Sequence, residues 1–232
     1  VIDNEKAGYI MTPVVGILTE SDTTTASFDV VLTTQPINDV IIDFTNSDST
    51  EKTLGVTSAT FTNATWNVTQ TIIINSTDDF LINGDQTTSI TAQINPFSDA
   101  GFTGSVSQTI SVITKDNDSG DFILGPISGN LTVDPPNTVN FTVVLTAQPS
   151  STVIIDFSSG DLTEATMVTN NVSFTSGNWN IPVLVYVSSV DELIFDGSQT
   201  TSITATVSSS SDTGFTSASS QIINVITEDN DK

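Results

Sequence analysis

The sequence predicts an all-β fold on three observations. Apolar and polar residues alternate at period two, β-branched residues dominate the alternating runs, and Pro, Gly, Asn and Asp punctuate the gaps between them. No stretch longer than a turn shows helical spacing. About seven such runs in each ~110 residues predict two tandem antiparallel β-sandwiches of immunoglobulin-like type.

The elements follow in chain order. Tyr9–Met11 is a short first candidate. Phe28, Val30 and Leu32 then alternate with Asp29, Val31 and Thr33, as a strand with one buried face requires. Val40, Ile42 and Phe44 do the same around Ile41 and Asp43. Gly55–Phe61, Thr71–Asn75, Thr88–Ile94 and Gln108–Thr114 complete the set. Phe28, Phe44, Phe61 and Trp66 are expected in the core, because aromatics repeated on alternating strands are packing residues more often than sugar-stacking platforms.

The same run of elements occurs twice. Shifting the chain by 113 residues aligns it with itself without a gap, with more than two in five positions identical. Val40-Ile41-Ile42-Asp43-Phe44 falls on Val153-Ile154-Ile155-Asp156-Phe157, Trp66-Asn67 on Trp179-Asn180, and Gln86 through Ala92 on Gln199 through Ala205. The expected domains are therefore 6–118 and 119–232, each of ordinary domain size. Residues 1–5 read as the tail of a preceding repeat or the start of the first, since Asp3-Asn4-Glu5, Asp116-Asn117-Asp118 and Asp229-Asn230-Asp231 keep the same register. The chain opens on Val1 without a signal peptide, which reads as a mature or excised piece of a longer array.

Composition narrows the chemistry. With 27 Asp+Glu against 4 Lys+Arg, none of them Arg, the net charge is −23. A phosphate backbone needs Lys and Arg to neutralise it, so nucleic acid is not an expected partner, and an anionic membrane surface is disfavoured alike. No apolar run has the roughly 18–20 residues of a spanning helix, so no membrane insertion is expected. Without Cys or His there is no disulfide, thiol nucleophile, imidazole metal ligand or Ser–His–Asp triad. Carboxylates and oxygen-ligated hard cations are what remain. Thr and Ser make up 69 of 232 residues, a composition that points to an extracellular, secreted or cell-surface setting. Seven Asn-x-Ser/Thr sequons, Asn63 and Asn171 among them, would carry glycans if the source glycosylates such proteins.

The acids gather at strand ends and turns. In the first repeat they cluster at Glu20, at Asp48 with Glu51, at Asp78-Asp79, at Asp85 and at Asp116-Asn117-Asp118. In the second they recur at Asp161 with Glu164, Asp191-Glu192, Asp196 and Asp229-Asn230-Asp231. Alternate loops of a sandwich converge at one end, where such carboxylates would repel unless a cation sat between them. Ca²⁺ fits an all-oxygen set best, since it accepts 6–8 oxygens in flexible geometry. Asp22, Asp29, Asp39, Asp99 and Asp212 read instead as solvated turn charges, and Asp43 and Asp156 as outward-facing strand residues.

The ordered pattern Phe28-x-Val30-x-Leu32, Val40-x-Ile42-x-Phe44 with Asp48, Trp66, Asp78-Asp79, Gly84-Asp85-Gln86 and Ile113-Thr114-x-Asp116-Asn117-Asp118 resembles the Calx-beta domain. More narrowly it resembles the Calx-beta-like repeats of large bacterial and archaeal surface proteins. The resemblance implies Ca²⁺ held by Glu20, Asp48, Asp78, Asp79, Asp116 and Asp118 in the first repeat. In the second it implies Asp161, Asp191, Glu192, Asp229 and Asp231. Val133 stands where the first repeat has Glu20, and Asn occupies the middle of each triplet, which lowers the ligand charge.

The expected function is non-catalytic: a Ca²⁺-binding tandem segment serving as a stalk or as a building block of an adhesin or extracellular filament. Its expected partners are neighbouring repeats or identical subunits stacked head to tail, with surface glycans as a further candidate. A carbohydrate-binding accessory module is the alternative, and it would need an exposed aromatic platform. A carboxylate-pair hydrolase would need two acids about 5–9 Å apart in a cleft, which two small sandwiches do not offer.

Overall fold

A computed structural model describes residues 6–21, 23–133, 135–191, 194–229 and 231. Expectations for residues 1–5, Asp22 and Glu192 lie outside these. The chain forms two compact units, one running to Asp79 and resuming over Asn83–Asn117, the other combining Phe80–Ile82 with the chain from Asp118 onward. Strands are the only extended regular elements among the described residues, and no helix is long and apolar enough to cross a membrane.

The first unit contains β1 (Tyr9–Met11), β2 (Leu18–Thr19), β3 (Thr25–Leu32), β4 (Val40–Asn46), β5 (Lys52–Leu54), β6 (Ser58–Phe61), β7 (Gln70–Ser76), β8 (Gln86–Ile94) and β9 (Gln108–Lys115). They form a four-stranded sheet in the order β1-β3-β7-β5 and a five-stranded sheet in the order β2-β9-β8-β4-β6. The second unit repeats this as β10 (Phe122–Leu124), β11 (Leu131–Thr132), β12 (Thr138–Leu145), β13 (Val153–Ser159), β14 (Ala165–Met167), β15 (Asn171–Phe174), β16 (Val183–Ser189), β17 (Gln199–Val207) and β18 (Gln221–Glu228). Every boundary is displaced by 113 residues, and the sheet orders correspond. Each unit has two short strands more than the alternation suggested. One addition is Lys52–Leu54, just before the expected Gly55–Phe61: it joins one sheet, and Ser58–Phe61 joins the other.

Both sheets of a unit turn their apolar face to one core. Phe28, Val30 and Leu32 from β3 meet Val40, Ile42 and Phe44 from β4 there, with Phe61, Ile72, Ile74, Ile90 and Phe102. Phe28 and Phe44 pack edge to face with ring centres 5.5 Å apart, and their counterparts Phe141 and Phe157 do so at 5.7 Å. Trp66 and Trp179 lie half-buried at the core margin. Asp43 and Asp156 point away from the core, as their register requires.

One pairing in each unit departs from the antiparallel pattern. β2 runs parallel to β9, with Leu18 opposite Thr114, and β11 runs parallel to β18. The N-terminal strand pairs first with β3, then crosses to the other sheet through residues 12–17. Gly16 makes that crossing possible. Its φ is +109°, and a Cβ there would lie 3.1 Å from the Ala26 Cα and the Thr25 carbonyl.

Asp99 and Asp212 correct the reading of solvated charges, because both are buried. The Asp99 carboxylate accepts from the N–H groups of Ile37, Asn38 and Gly101, and Asp212 accepts from Ser151 and Gly214. These bonds hold each carboxyl below its ordinary pKa: for Asp99 the Asn38 N–H is the largest cause, while for Asp212 the Ser150 hydroxyl and the backbone donors outweigh an opposing burial effect. Turn geometry recruited them, as a buried anchor for the loop after β3 and its repeat.

Candidate metal centre

Strand direction assembles the acids of the first unit. Because β2 and β9 are parallel, the residues that follow them emerge at the same end, and the Glu20 N–H donates to the Lys115 carbonyl at 2.8 Å. Glu20 therefore sits beside Asp116. The pairing of β5 with β7 places Lys52 opposite Ser76, and the Thr77 N–H donates to the Glu51 carbonyl at 3.1 Å. Glu51 is thereby brought to the Asp78-Asp79 loop.

Two overlapping groups result. Glu20 with Asp116, and Glu20 with Glu51 and Asp79, each offer ligand oxygens within 4.8 Å of one another, whereas Asp118 belongs to the second unit. Glu20 is 0% exposed, and neither of its carboxylate oxygens meets a donor. Glu51 is also buried, with Oε2 lacking a donor. An unpaired buried carboxylate is unfavourable to ionise, so its surroundings act on its proton. Burial, followed by the carboxyl of Glu51 and the charges of Asp79, Glu51 and Asp116, pushes the Glu20 pKa up to about 8. Burial is also the chief cause that raises Glu51. Lys52 lies buried nearby, and its Nζ donates to the Thr88 hydroxyl; burial lowers its pKa. No lysine Nζ is bonded to either oxygen of Glu20 among the described residues.

Not every predicted ligand joins the groups. Asp48 instead closes its own turn, where Oδ1 accepts from the Thr50 N–H at 2.9 Å and from the Thr50 hydroxyl at 2.6 Å. Those bonds hold its pKa below the ordinary value. The turn aims the next acid, Glu51, inward. Asp78 is half-buried and outside both groups. Asp116 does further work: its Oδ2 accepts from the Asn83 and Gly84 N–H groups at 3.0 and 2.6 Å, so the loop before β8 is fixed to the first acid of the triplet. Glu51 was absent from the predicted ligand set. The signal that could have found it is the repeated Asp-x-Thr-Glu, at 48–51 and again at 161–164.

The second unit keeps the frame and changes the centre. Asp161 caps Thr163 as Asp48 caps Thr50, and the same bonds lower its pKa. Asp229 accepts from the Gly197 N–H at 2.8 Å and from the Asp231 N–H at the same distance. Asp191 is exposed. Glu164 is buried at the position of Glu51, but Val133, 7% exposed, fills the position of Glu20. The remaining slot among Val133, Glu164, Asp196, Asp229 and Asp231 measures about 10 Å³, room for at most one water.

No protein-family model matches the chain, and a comparison of its sequence with curated proteins finds no match. Among solved structures it is similar to CBD12 from CALX1.2, at 12% identity and a TM-score of 0.33 over 86% of this chain and 83% of that one. It is similar in the same degree to the calcium binding domain CBD12 of CALX1.1, over 82% and 77% of the two chains. The periplasmic chaperone SfaE is similar at 10% identity and a TM-score of 0.36, over 96% of this chain and all of that one. The class that the strand architecture defines is an all-β protein built of two-sheet units; nothing about function rests on likeness at this level.

Proposed function

We propose that the first unit is a Ca²⁺-binding, non-catalytic module of a tandem-repeat extracellular surface protein, in which it serves as a structural segment. The observation that carries this reading is Glu20, a fully buried carboxylate with neither oxygen bonded to a donor, facing Glu51, Asp79 and Asp116 of the same unit. Those residues supply carboxylate oxygens alone, the donor type that hard cations take, and four acids from separate loops suit Ca²⁺ better than the strict octahedron of Mg²⁺. Ca²⁺ bound there would supply the charge that the Glu20–Glu51 pair lacks. It would also tie the loop before β8 to the end of β9.

Sites in extracellular modules bind at about 10⁻⁴–10⁻³ M, so roughly 10 mM Ca²⁺ stabilises the unit by on the order of 1.4–2.7 kcal/mol if the unfolded chain does not bind. Calorimetric melting in EDTA, in Ca²⁺ and in Mg²⁺ tests this. A transition that rises only in Ca²⁺ supports the assignment, and identical traces in all three solutions would overturn it.

A further inference from the structure

The second unit includes the apolar tripeptide Phe80-Leu81-Ile82. The Phe80 carbonyl accepts from the Gln148 N–H at 2.8 Å, and Leu81 bridges to Gln148 in parallel fashion. The Phe80 ring centre lies 5.8 Å from that of Trp179, and Ile82 covers Gly214, where an added Cβ would come within 3.1 Å of its Cδ1. Phe80 has φ +62°, a left-handed conformation that a bulky residue keeps only where its surroundings hold it.

Among the described residues the first unit has the same receptor without that cover. Gln35, Trp66 and Gly101 correspond to Gln148, Trp179 and Gly214 by the 113-residue shift, and they line an open groove of about 520 Å³. Gln35 and Gly101 are exposed where Gln148 and Gly214 are half-buried. No backbone acceptor meets the Gln35 N–H among the described residues. A Cβ on Gly101 would meet only Asp99, and Ile37 at the groove wall is 86% exposed. The same shift carries Leu81-Ile82 onto Ile194-Phe195, which are 59% and 74% exposed against 37% for each of the former. The described residues of each copy thus hold one filled groove, one open groove and one uncovered apolar pair.

We infer that the groove beside Trp66 is a docking site for Ile194-Phe195 of a second copy of this chain, in the manner that Gln148, Trp179 and Gly214 receive Phe80-Leu81-Ile82. The contact joins two different surfaces, so it is head-to-tail and propagates instead of closing as a symmetric dimer does. It goes beyond the cation reading and does not depend on Ca²⁺.

Sedimentation in EDTA, at salt high enough to screen the −23 charge, tests it across roughly 10 μM to 1 mM, the range where a small untethered contact becomes visible. The wild-type mass rises above 24.4 kDa without stopping at a dimer. Phe195→Asp removes the inserted group and Ile37→Asp spoils the groove, so each alone stays monomeric. Their equimolar mixture forms a dimer and nothing larger, because each keeps one good end. Val106→Asp, an exposed site outside the groove, associates like wild type. Melting curves confirm that all variants fold. A wild type that stays at monomer mass overturns the inference, as does association of either single variant, a mixture that remains monomeric, or loss of association in Val106→Asp.

Discussion

Glu20 and Val133 occupy one position in two copies of the same frame, and the difference between them changes the chemistry of that position. Both are buried; only one carries charge. In the metal-free unit the folded state holds the Glu20 proton up to about pH 8, whereas an ordinary glutamate releases it near 4.5. Between those values the folded chain binds more protons than the unfolded one, so stability falls as pH rises through that window, by at most about 1.4 kcal/mol per pH unit. Melting temperature in EDTA is therefore expected to drop from pH 5 to pH 8, and saturating Ca²⁺ to flatten the slope. Glu20→Gln removes the charge. It is expected to raise the pH 8 melting temperature in EDTA and to abolish the Ca²⁺ increment, both read in one calorimetric series.

At the scale of elements, two connections set the fold's accuracy. Residues 12–17 move the chain from one sheet to the other, and at Gly16 the backbone passes close by Ala26. Gly16→Ala combines a left-handed φ with backbone overlap, and is expected to cost about 1–3 kcal/mol in chemical denaturation. If β2 loses its place, Glu20 moves with it, so Ca²⁺ affinity falls in the same variant. The loop after β3 depends on Asp99, which gathers three N–H donors. Asp99→Ala strands those donors, and a loss of about 1–3 kcal/mol is expected. Asp29→Ala, at a half-exposed carboxylate held by one threonine hydroxyl, is the contrasting case and is expected to stay within about 0.5 kcal/mol of wild type.

For the whole molecule, the repeat is regular in backbone and asymmetric in chemistry. Two cores of like size and identical strand register stand in one chain, but a buried acid that lacks a donor occurs at the Glu20 position of the first alone. Where the two units melt as separate transitions, Ca²⁺ is expected to move one of them, by the increment given above, and leave the other in place. Val133→Glu offers the converse. It installs the missing carboxylate beside Glu164 and Asp229, and is expected to destabilise the second unit in EDTA while making its transition respond to Ca²⁺.

Alternation, turn residues and the 113-residue register determined the strands and the core without any structure. A period of two states directly which side chains face inward, and a gapless repeat tests each strand against its copy. The gathering of acids at strand ends was legible for the same reason. Pairing partners were not. That β2 runs parallel to β9, that Lys52–Leu54 and Ser58–Phe61 go to different sheets, and that Glu51 turns inward while Asp48 caps Thr50 depend on where the fold places their hydrogen-bond partners. Asp99 and Asp48 have the same letter and the same turn setting, yet the first anchors a buried loop and the second an exposed one. Sequence sets what a residue can do; only the tertiary fold decides whether donors, other acids or water surround it, because that depends on which strand ends are brought together.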